Sequence, residues 1–248
     1  FSVVRRCLGV GGSGVLGVSI IKALNHHKKI GLSEQEINEM AYESEKIAHG
    51  NPSGIDNTIA TYGYPLIYRK GEKTLKERLQ IKEPLDLVLA FSKSEGLTAK
   101  TVAHVRTQWK SNQEMYEGVF DDIDAIVLNG IQAIQENDLK QLGELMNFNQ
   151  GLLNTLQVST PELERMIYIA RDAGAFGAKL TGGGGGGAMI AVLVAVLKIQ
   201  IIWVEKYAAK KNLVKDGLKL SRLWIDFRSS SESSTSLGRG EESLEVWG

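Results

Sequence analysis

Two acidic residues, eleven positions apart, are the side chains of this sequence best suited to chemistry. Glu45 lies in an amphipathic stretch, and Asp56 follows it after a helix-breaking segment that contains Pro52. One glycine-rich stretch precedes the pair at 9–17, and another follows it at 182–187. Carboxylates bind Mg²⁺ and accept protons, and glycine turns let backbone N–H groups approach phosphates closely. The combination is typical of a phosphotransferase that uses a Mg-nucleotide.

The first glycine-rich stretch leads into an apolar pattern of helical spacing from Val15 to Leu24. A glycine turn that opens a helix presents successive backbone N–H groups and the positive end of the helix dipole at one point, so it could bind phosphates. Ser13 and Glu45 could hold Mg²⁺ through their oxygens, and Asp56 could accept the proton of an alcohol. A flexible glycine loop without a ligand is the alternative.

The helix that carries Glu45 has clear boundaries in the sequence. Ser33 and Glu36 have the spacing of a capping box, and the helix should end near His49, just before a glycine. Glu45 therefore lies in the last two turns, where a negative charge faces the negative end of the dipole. A bound Mg²⁺ would compensate this charge, and so would Lys46 or water.

The remaining elements place these motifs in a mixed fold. We predict strands at 65–69, 85–91, 178–181 and 188–193, with a charged connection at 71–79. We predict helices from Thr98, from about Asp121, from Leu139 and, with Thr160 as N-cap, from 161 to about Asp172. The pattern 203–220 favours a further helix, and the Ser- and Gly-rich segment 229–240 is typical of disorder.

Composition narrows the class of protein. The chain has 248 residues with 29 basic and 29 acidic side chains, so its charge gives no argument for a nucleic acid or a membrane as partner. The single Cys7 excludes an internal disulfide and suits a reducing cytoplasm. The apolar run 188–204 contains Lys198 and Gln200 and is short for a membrane span. The chain begins without Met, which suggests a fragment.

Three motifs resemble those of one enzyme family. The stretch 49–56, His-Gly-Asn-Pro-Ser-Gly-Ile-Asp, closely resembles the signature of the mevalonate kinases. The stretch 9–20 resembles the phosphate-binding motif of the GHMP kinases, and 179–187 resembles their C-terminal motif. The likeness covers roughly residues 8–195, and neither the P-loop pattern nor the protein-kinase motif set is present.

The resemblance implies an α+β fold and a set of roles. A partial N-terminal βαβ lobe would span 1–84 and a ferredoxin-like C-terminal lobe 85–205, followed by a divergent, partly disordered tail at 206–248. A first motif with an active-site lysine would lie upstream of Phe1. The site residues would be the catalytic Asp56, the Mg²⁺ ligands Ser13 and Glu45, the ATP-binding Gly9, Gly11, Gly12, Ser13 and Gly14, and the substrate-binding His49, Ser53, Thr98, Gly183, Gly184 and Gly185.

The resemblance also implies a reaction, a transfer of phosphate from ATP to the 5-hydroxyl of mevalonate in isoprenoid synthesis. Mg²⁺ would be the cofactor metal, the enzyme would be cytoplasmic, and homodimers would form as in relatives. One alternative is another GHMP kinase that acts on phosphomevalonate or a sugar. A second alternative is an inactive remnant that serves only as a binding or dimerisation module, because the first motif is absent and the tail beyond about Leu193 departs from the family.

Overall fold

The structure is a computed structural model that describes residues 11–49, 52–70, 75–92, 98–193 and 219–225. Three helices come first, α1 (Gly12–Lys28), α2 (Glu34–His49) and α3 (Ile55–Tyr62). They pack around a small apolar core formed by Val18, Ile37 and Ala41. A two-stranded antiparallel sheet follows, made of β1 (Leu66–Arg69) and β2 (Leu75–Arg78).

The C-terminal part combines four helices with one sheet. The helices are α4 (Thr98–Ser111), α5 (Gln113–Glu136), α6 (Leu139–Thr155) and α7 (Pro161–Asp172). The strands are β3 (Leu85–Phe91), β4 (Gly177–Thr181), β5 (Ala188–Val192) and β6 (Lys219–Ile225). All neighbours are antiparallel in the order β4-β5-β3-β6. If these four strands are renumbered 1 to 4 along the chain, their order across the sheet, read from the β6 edge, is 4-1-3-2. This is the ferredoxin-like arrangement.

The main core lies between this sheet and its helices. Leu163 and Ile167 of α7 and Leu180 and Met189 of the sheet are almost fully buried there. Close packing of this kind fixes the helices relative to the sheet. An ion pair connects the two parts of the chain, since Arg69 Nη2 lies 2.6 Å from both carboxylate oxygens of Asp124 on α5.

The edge strand β4 is covered by α6. Asn147 accepts a hydrogen bond from Ala178 N at 3.1 Å and donates one to Phe176 O at 3.2 Å. Gln150 accepts one from Leu180 N at 2.8 Å. Side-chain amides thus take the place of a neighbouring strand, which protects an edge that would otherwise pair with other chains.

Most predicted elements are confirmed, and three positions differ. The helix predicted to start near Asp121 starts at Gln113, because Tyr116 is buried in the main core and extends the helix towards its N-terminus. The predicted connection 71–79 contains β2. The predicted helix 203–220 lies outside the described residues except Lys219 and Leu220, and these two begin β6 through backbone pairing with β3. The domain boundaries stay predictions, and 229–240 lies outside the described residues.

No helix in the described ranges combines the length and the apolar character that crossing a bilayer would require.

Candidate active site

The first turns of two helices meet at the candidate site. Gly11 is the N-cap of α1, and Asp56 lies in the first turn of α3. A Cβ atom at Gly11 would stand 2.9 Å from Cγ of Asp56, and one at Gly14 would stand 2.9 Å from the backbone N of Asn57. Only glycines permit this approach, so the glycine stretch serves to bring the Asp56 carboxylate against the backbone of α1.

The N-terminal end of α1 has the chemistry of an anion site. The first backbone N–H groups of a helix have no acceptor within the helix, and the dipole there favours negative charge. Gly12, Ser13 and Gly14 form this first turn. Because Asp56 also lies at the start of α3, the positive ends of two helices are directed to the region around its carboxylate.

Glu45 flanks the same turn through Ser13. Its side chain is buried, with 6% of the residue exposed, and Ser13 Oγ donates a hydrogen bond to Oε2 at 3.2 Å. The predicted position in the last two turns of α2 is confirmed by the end of that helix at His49. Ser13 and Glu45 are thus brought together, although they are 32 residues apart in sequence.

These two side chains fit one kind of metal site. Hydroxyl and carboxylate oxygens are ligands for Mg²⁺, which proteins often hold with one or two carboxylates while substrate phosphates supply further oxygens. In the part of the chain that the structure describes, no group of three or more His, Cys, Asp or Glu side chains could hold a metal ion. One hydroxyl and one carboxylate are donors that suit a metal shared with a nucleotide.

A buried polar network, which the sequence reasoning missed, fixes α3 on α2. Asn57 Nδ2 donates to Asn38 Oδ1 at 2.7 Å, and Thr58 Oγ1 donates to the same oxygen at 3.4 Å. Asn38, Asn57 and Thr58 are each at most 4% exposed. Buried polar groups that are satisfied in this way specify one arrangement. The available signal was the pair of polar residues directly after Asp56.

The second glycine-rich stretch is a structured turn between β4 and β5, as predicted. Thr101 Oγ1 donates to the backbone oxygen of Gly183 at 2.8 Å, and Gly185 N donates to the backbone oxygen of Val158 at 2.8 Å. Ser92 Oγ accepts from Gly187 N at 2.9 Å. Contacts with α4, with the residue after β3 and with the segment after α6 therefore hold the turn. Sequence reasoning missed Ser92, Thr101 and Val158, because nothing in their local pattern distinguishes them.

The structure describes fewer contacts for the remaining predicted residues. Ser53 is exposed, and its Oγ accepts from Ile55 N at 3.3 Å. His49 ends α2 and Thr98 begins α4, but their side chains lie outside what the structure describes, as does all of Gly9. The hydrogen bonds and contacts described above bring Asp56, Glu45, Ser13, Gly11, Gly12 and Gly14 together around the first turn of α1, whereas Gly183, Gly184 and Gly185 lie on the sheet turn.

Lys179 of β4 is a half-buried residue beside that turn. Burial lowers the pKa of Lys179 from its usual 10.5 to about 8. Its Nζ donates to the backbone oxygen of Leu180 at 2.7 Å. Lys179 is the first residue of the stretch 179–187, which resembles the C-terminal motif of the GHMP kinases. The sequence alone assigned no role to this lysine.

Two family models match the chain in order. One, described as GHMP kinases N terminal domain, covers residues 2–64, and the other, GHMP kinases C terminal, covers 131–209. The chain is 39% identical over 189 residues to a mevalonate kinase of Pyrococcus abyssi, across 74% of this chain and 55% of that relative. The chain thus spans about half the length of the curated relatives it matches.

Solved structures agree with these matches. A mevalonate kinase of L. major, determined in complex with R-mevalonate, has a TM-score of 0.78 and 31% identity, covering 87% of this chain and 65% of that one. The Methanococcus jannaschii mevalonate kinase has a TM-score of 0.70 and 28% identity, covering 90% and 66%. Sequence models, relatives and structures therefore all show that the chain belongs to the GHMP kinase family.

Proposed function

We propose that this chain carries the site of a kinase that transfers the γ-phosphoryl group of ATP to the 5-hydroxyl of mevalonate. The observation that carries the proposal is the Asp56 carboxylate placed against the first turn of α1, with Ser13 and Glu45 hydrogen-bonded at the same turn. Phosphoryl transfer needs positioned phosphates, a cation and a group that accepts the hydroxyl proton. This turn offers candidates for all three.

Each residue has a proposed part in the reaction. The backbone N–H groups of the glycine stretch, Gly9, Gly11, Gly12 and Gly14, bind the phosphates of ATP, as helix N-termini bind anions. Ser13 and Glu45 would hold Mg²⁺, which would neutralise charge on the phosphates. Asp56 accepts the proton as the mevalonate oxygen bonds to the γ-phosphorus. The bond to the β-phosphate oxygen breaks, and the products are 5-phosphomevalonate and ADP.

The substrate side is proposed on the resemblance and on two observations. His49 ends α2 before the turn that leads to Asp56, and Ser53 lies in that turn. Thr98 opens α4, the helix whose Thr101 holds Gly183. Gly183, Gly184 and Gly185 would then lie close to the phosphates and the acceptor. A homodimer and a cytoplasmic location stay predictions from the resemblance.

Mevalonate is the favoured acceptor because the relatives described above, at 28–39% identity, are called mevalonate kinases. The Streptococcus pneumoniae phosphomevalonate kinase is only 15% identical at a TM-score of 0.73, and a galactokinase of Lactococcus lactis is 18% identical at 0.68. At such identities the likeness extends to the fold alone. The likeness to these two kinases therefore supports the fold and gives no argument for their acceptors.

A substrate panel tests the proposal. The purified chain is given MgATP with R-mevalonate, phosphomevalonate or galactose, and ADP release is measured with and without EDTA. We expect release that depends on both mevalonate and Mg²⁺. Faster turnover of phosphomevalonate or galactose would replace mevalonate as the acceptor. Absence of turnover together with absence of MgATP binding by calorimetry would support the remnant hypothesis instead.

A further inference from the structure

The turn before Asp56 is held from one side by two residues of and next to β1. Tyr68 Oη donates to the backbone oxygen of Ser53 at 2.7 Å. Lys70 Nζ donates to the backbone oxygen of Pro52 at 2.8 Å. The carbonyl groups of Pro52 and Ser53 thus accept hydrogen bonds from two side chains, Lys70 and Tyr68, that are two residues apart in the chain after α3. Alternation along an extended strand directs residues two apart to the same side.

Tyr68 also limits the space around Gly54, the N-cap of α3. Gly54 has a φ of 85°, and a Cβ there would stand 2.9 Å from Tyr68 Oη and 3.1 Å from Cε2 of Tyr42. Tyr42 comes from α2, so Gly54 is enclosed between α2 and β1. The position of the turn is therefore determined from both sides by aromatic side chains.

The start of α3 depends on this turn. Gly54 has no side chain that could cap the helix, so the first turn of α3 is held by the backbone before it together with the buried bond from Asn57 to Asn38. Asp56 is the second residue of the helix, and its Cγ would be only 2.9 Å from a Cβ at Gly11. A small rotation of the turn 52–54 would move this carboxylate relative to α1.

We infer that Tyr68 is a positioning residue, whose hydroxyl fixes the turn at Ser53 and thereby places Asp56 against the first turn of α1. The inference rests on the role proposed for Asp56 above. Tyr68 acts through the turn and reaches Asp56 only indirectly. Burial raises the pKa of Tyr68 above its ordinary value of 10.0, so the hydroxyl remains a hydrogen-bond donor throughout the neutral range.

The test compares two tyrosine variants. Tyr68→Phe removes the hydroxyl and keeps the ring that packs beside Gly54. Tyr168→Phe is the matched control, since it removes a phenol on α7 that is 66% exposed. For Tyr68→Phe we expect kcat with mevalonate to fall about tenfold while KM for ATP stays within about twofold, because misplacement of a reacting group lowers the chemical step. Tyr168→Phe should match the wild type in both.

Hydrogen exchange gives a second measurement that needs no activity. In Tyr68→Phe the amides of residues 53–58 should exchange faster than in the wild type, whereas those of α6 should be unchanged. The inference is overturned if exchange in 53–58 stays at the wild-type rate, or if exchange rises but kcat does not fall. A wild-type chain without mevalonate turnover would count against the proposed function, and the exchange data would then decide the inference alone.

Discussion

Asp56 and Gly11 are in direct contact across the first turns of two helices. A Cβ at Gly11 would lie 2.9 Å from Cγ and 3.0 Å from Oδ1 of Asp56. Because Gly11 is the N-cap of α1, this contact puts the carboxylate where the helix would bind phosphates. The close packing of the start of α3 against the start of α1 therefore makes the proposed proton acceptor and the proposed phosphate site neighbours.

Gly11→Ala should disturb this contact. The new Cβ would overlap the Asp56 carboxyl group, and Gly11 has a φ of 71°, a conformation that costs alanine about 1–2 kcal/mol. We expect kcat to fall about ten- to hundredfold as Asp56 moves. Steady-state kinetics and urea unfolding measure the two effects.

Gly118→Ala is the control for that substitution. Gly118 lies within α5 with no atom within 4 Å of a Cβ there, so alanine should raise the free energy of unfolding by about 0.5–1 kcal/mol and leave kcat unchanged. Wild-type kcat in Gly11→Ala would show that the contact with Asp56 does not matter for the reaction.

Glu45→Gln should weaken the use of Mg²⁺. The substitution removes the charge at the oxygen that accepts from Ser13 Oγ at 3.2 Å. We expect the Mg²⁺ concentration for half-maximal ADP release to rise about tenfold or more, since the remaining amide oxygen is a weaker ligand. Calorimetric binding of a non-hydrolysed nucleotide at several Mg²⁺ concentrations measures the same effect without turnover.

Glu43→Gln serves as the matched control because it removes the same charge from the same helix. Glu43 is exposed and pairs with Lys46 at 2.6 Å on the helix surface. Its Mg²⁺ dependence should equal that of the wild type. An equal shift in both variants would assign the effect to net charge and not to a ligand.

Much of this arrangement could be predicted from the sequence. The capping box at Ser33 is present, with Glu36 Oε2 accepting from Ser33 N at 2.8 Å, and Thr160 caps α7. Strand β3 has the predicted bounds 85–91. These are local features, in which spacing and residue type alone determine the hydrogen bonds.

What could not be predicted depends on contacts between distant segments. Thr101 and Gly183 are 82 residues apart, and Tyr68 and Ser53 are 15 apart with a helix between them. A threonine in a helix and a tyrosine in a strand have ordinary local roles, so their sequence context gives no sign of a partner. The close approach of Gly11 to Asp56 likewise depends on how α1 and α3 pack.

Lys179 should make the stability of the fold depend on pH. Its folded-state pKa of about 8 lies below the usual 10.5, so between these values the unfolded chain binds more protons than the folded one. The free energy of unfolding should therefore rise with pH from about 8 to 10.5 through this group. Below pH 8 the Lys179 amine is protonated in both the folded and the unfolded chain, so the whole free-energy cost of burying its charge is present.

Lys179→Met measures this contribution. Methionine has no charge to bury, so the variant should be more stable than the wild type at pH 7, and the difference should shrink towards pH 10.5. Lys100→Met, at an exposed position on α4, should show no such trend. A difference between Lys179→Met and wild type that is constant over this range would contradict the assigned cause.

The most direct test of the central claim is the kinetics of Asp56→Asn. The amide keeps the size of the carboxyl group beside Gly11 but is a far weaker proton acceptor. We expect kcat with mevalonate to fall by about 10²- to 10⁴-fold, the usual contribution of general base catalysis, while the Kd for MgATP stays near that of the wild type. If Asp56→Asn keeps most of the wild-type rate, Asp56 is not the proton acceptor and the proposed site is wrong.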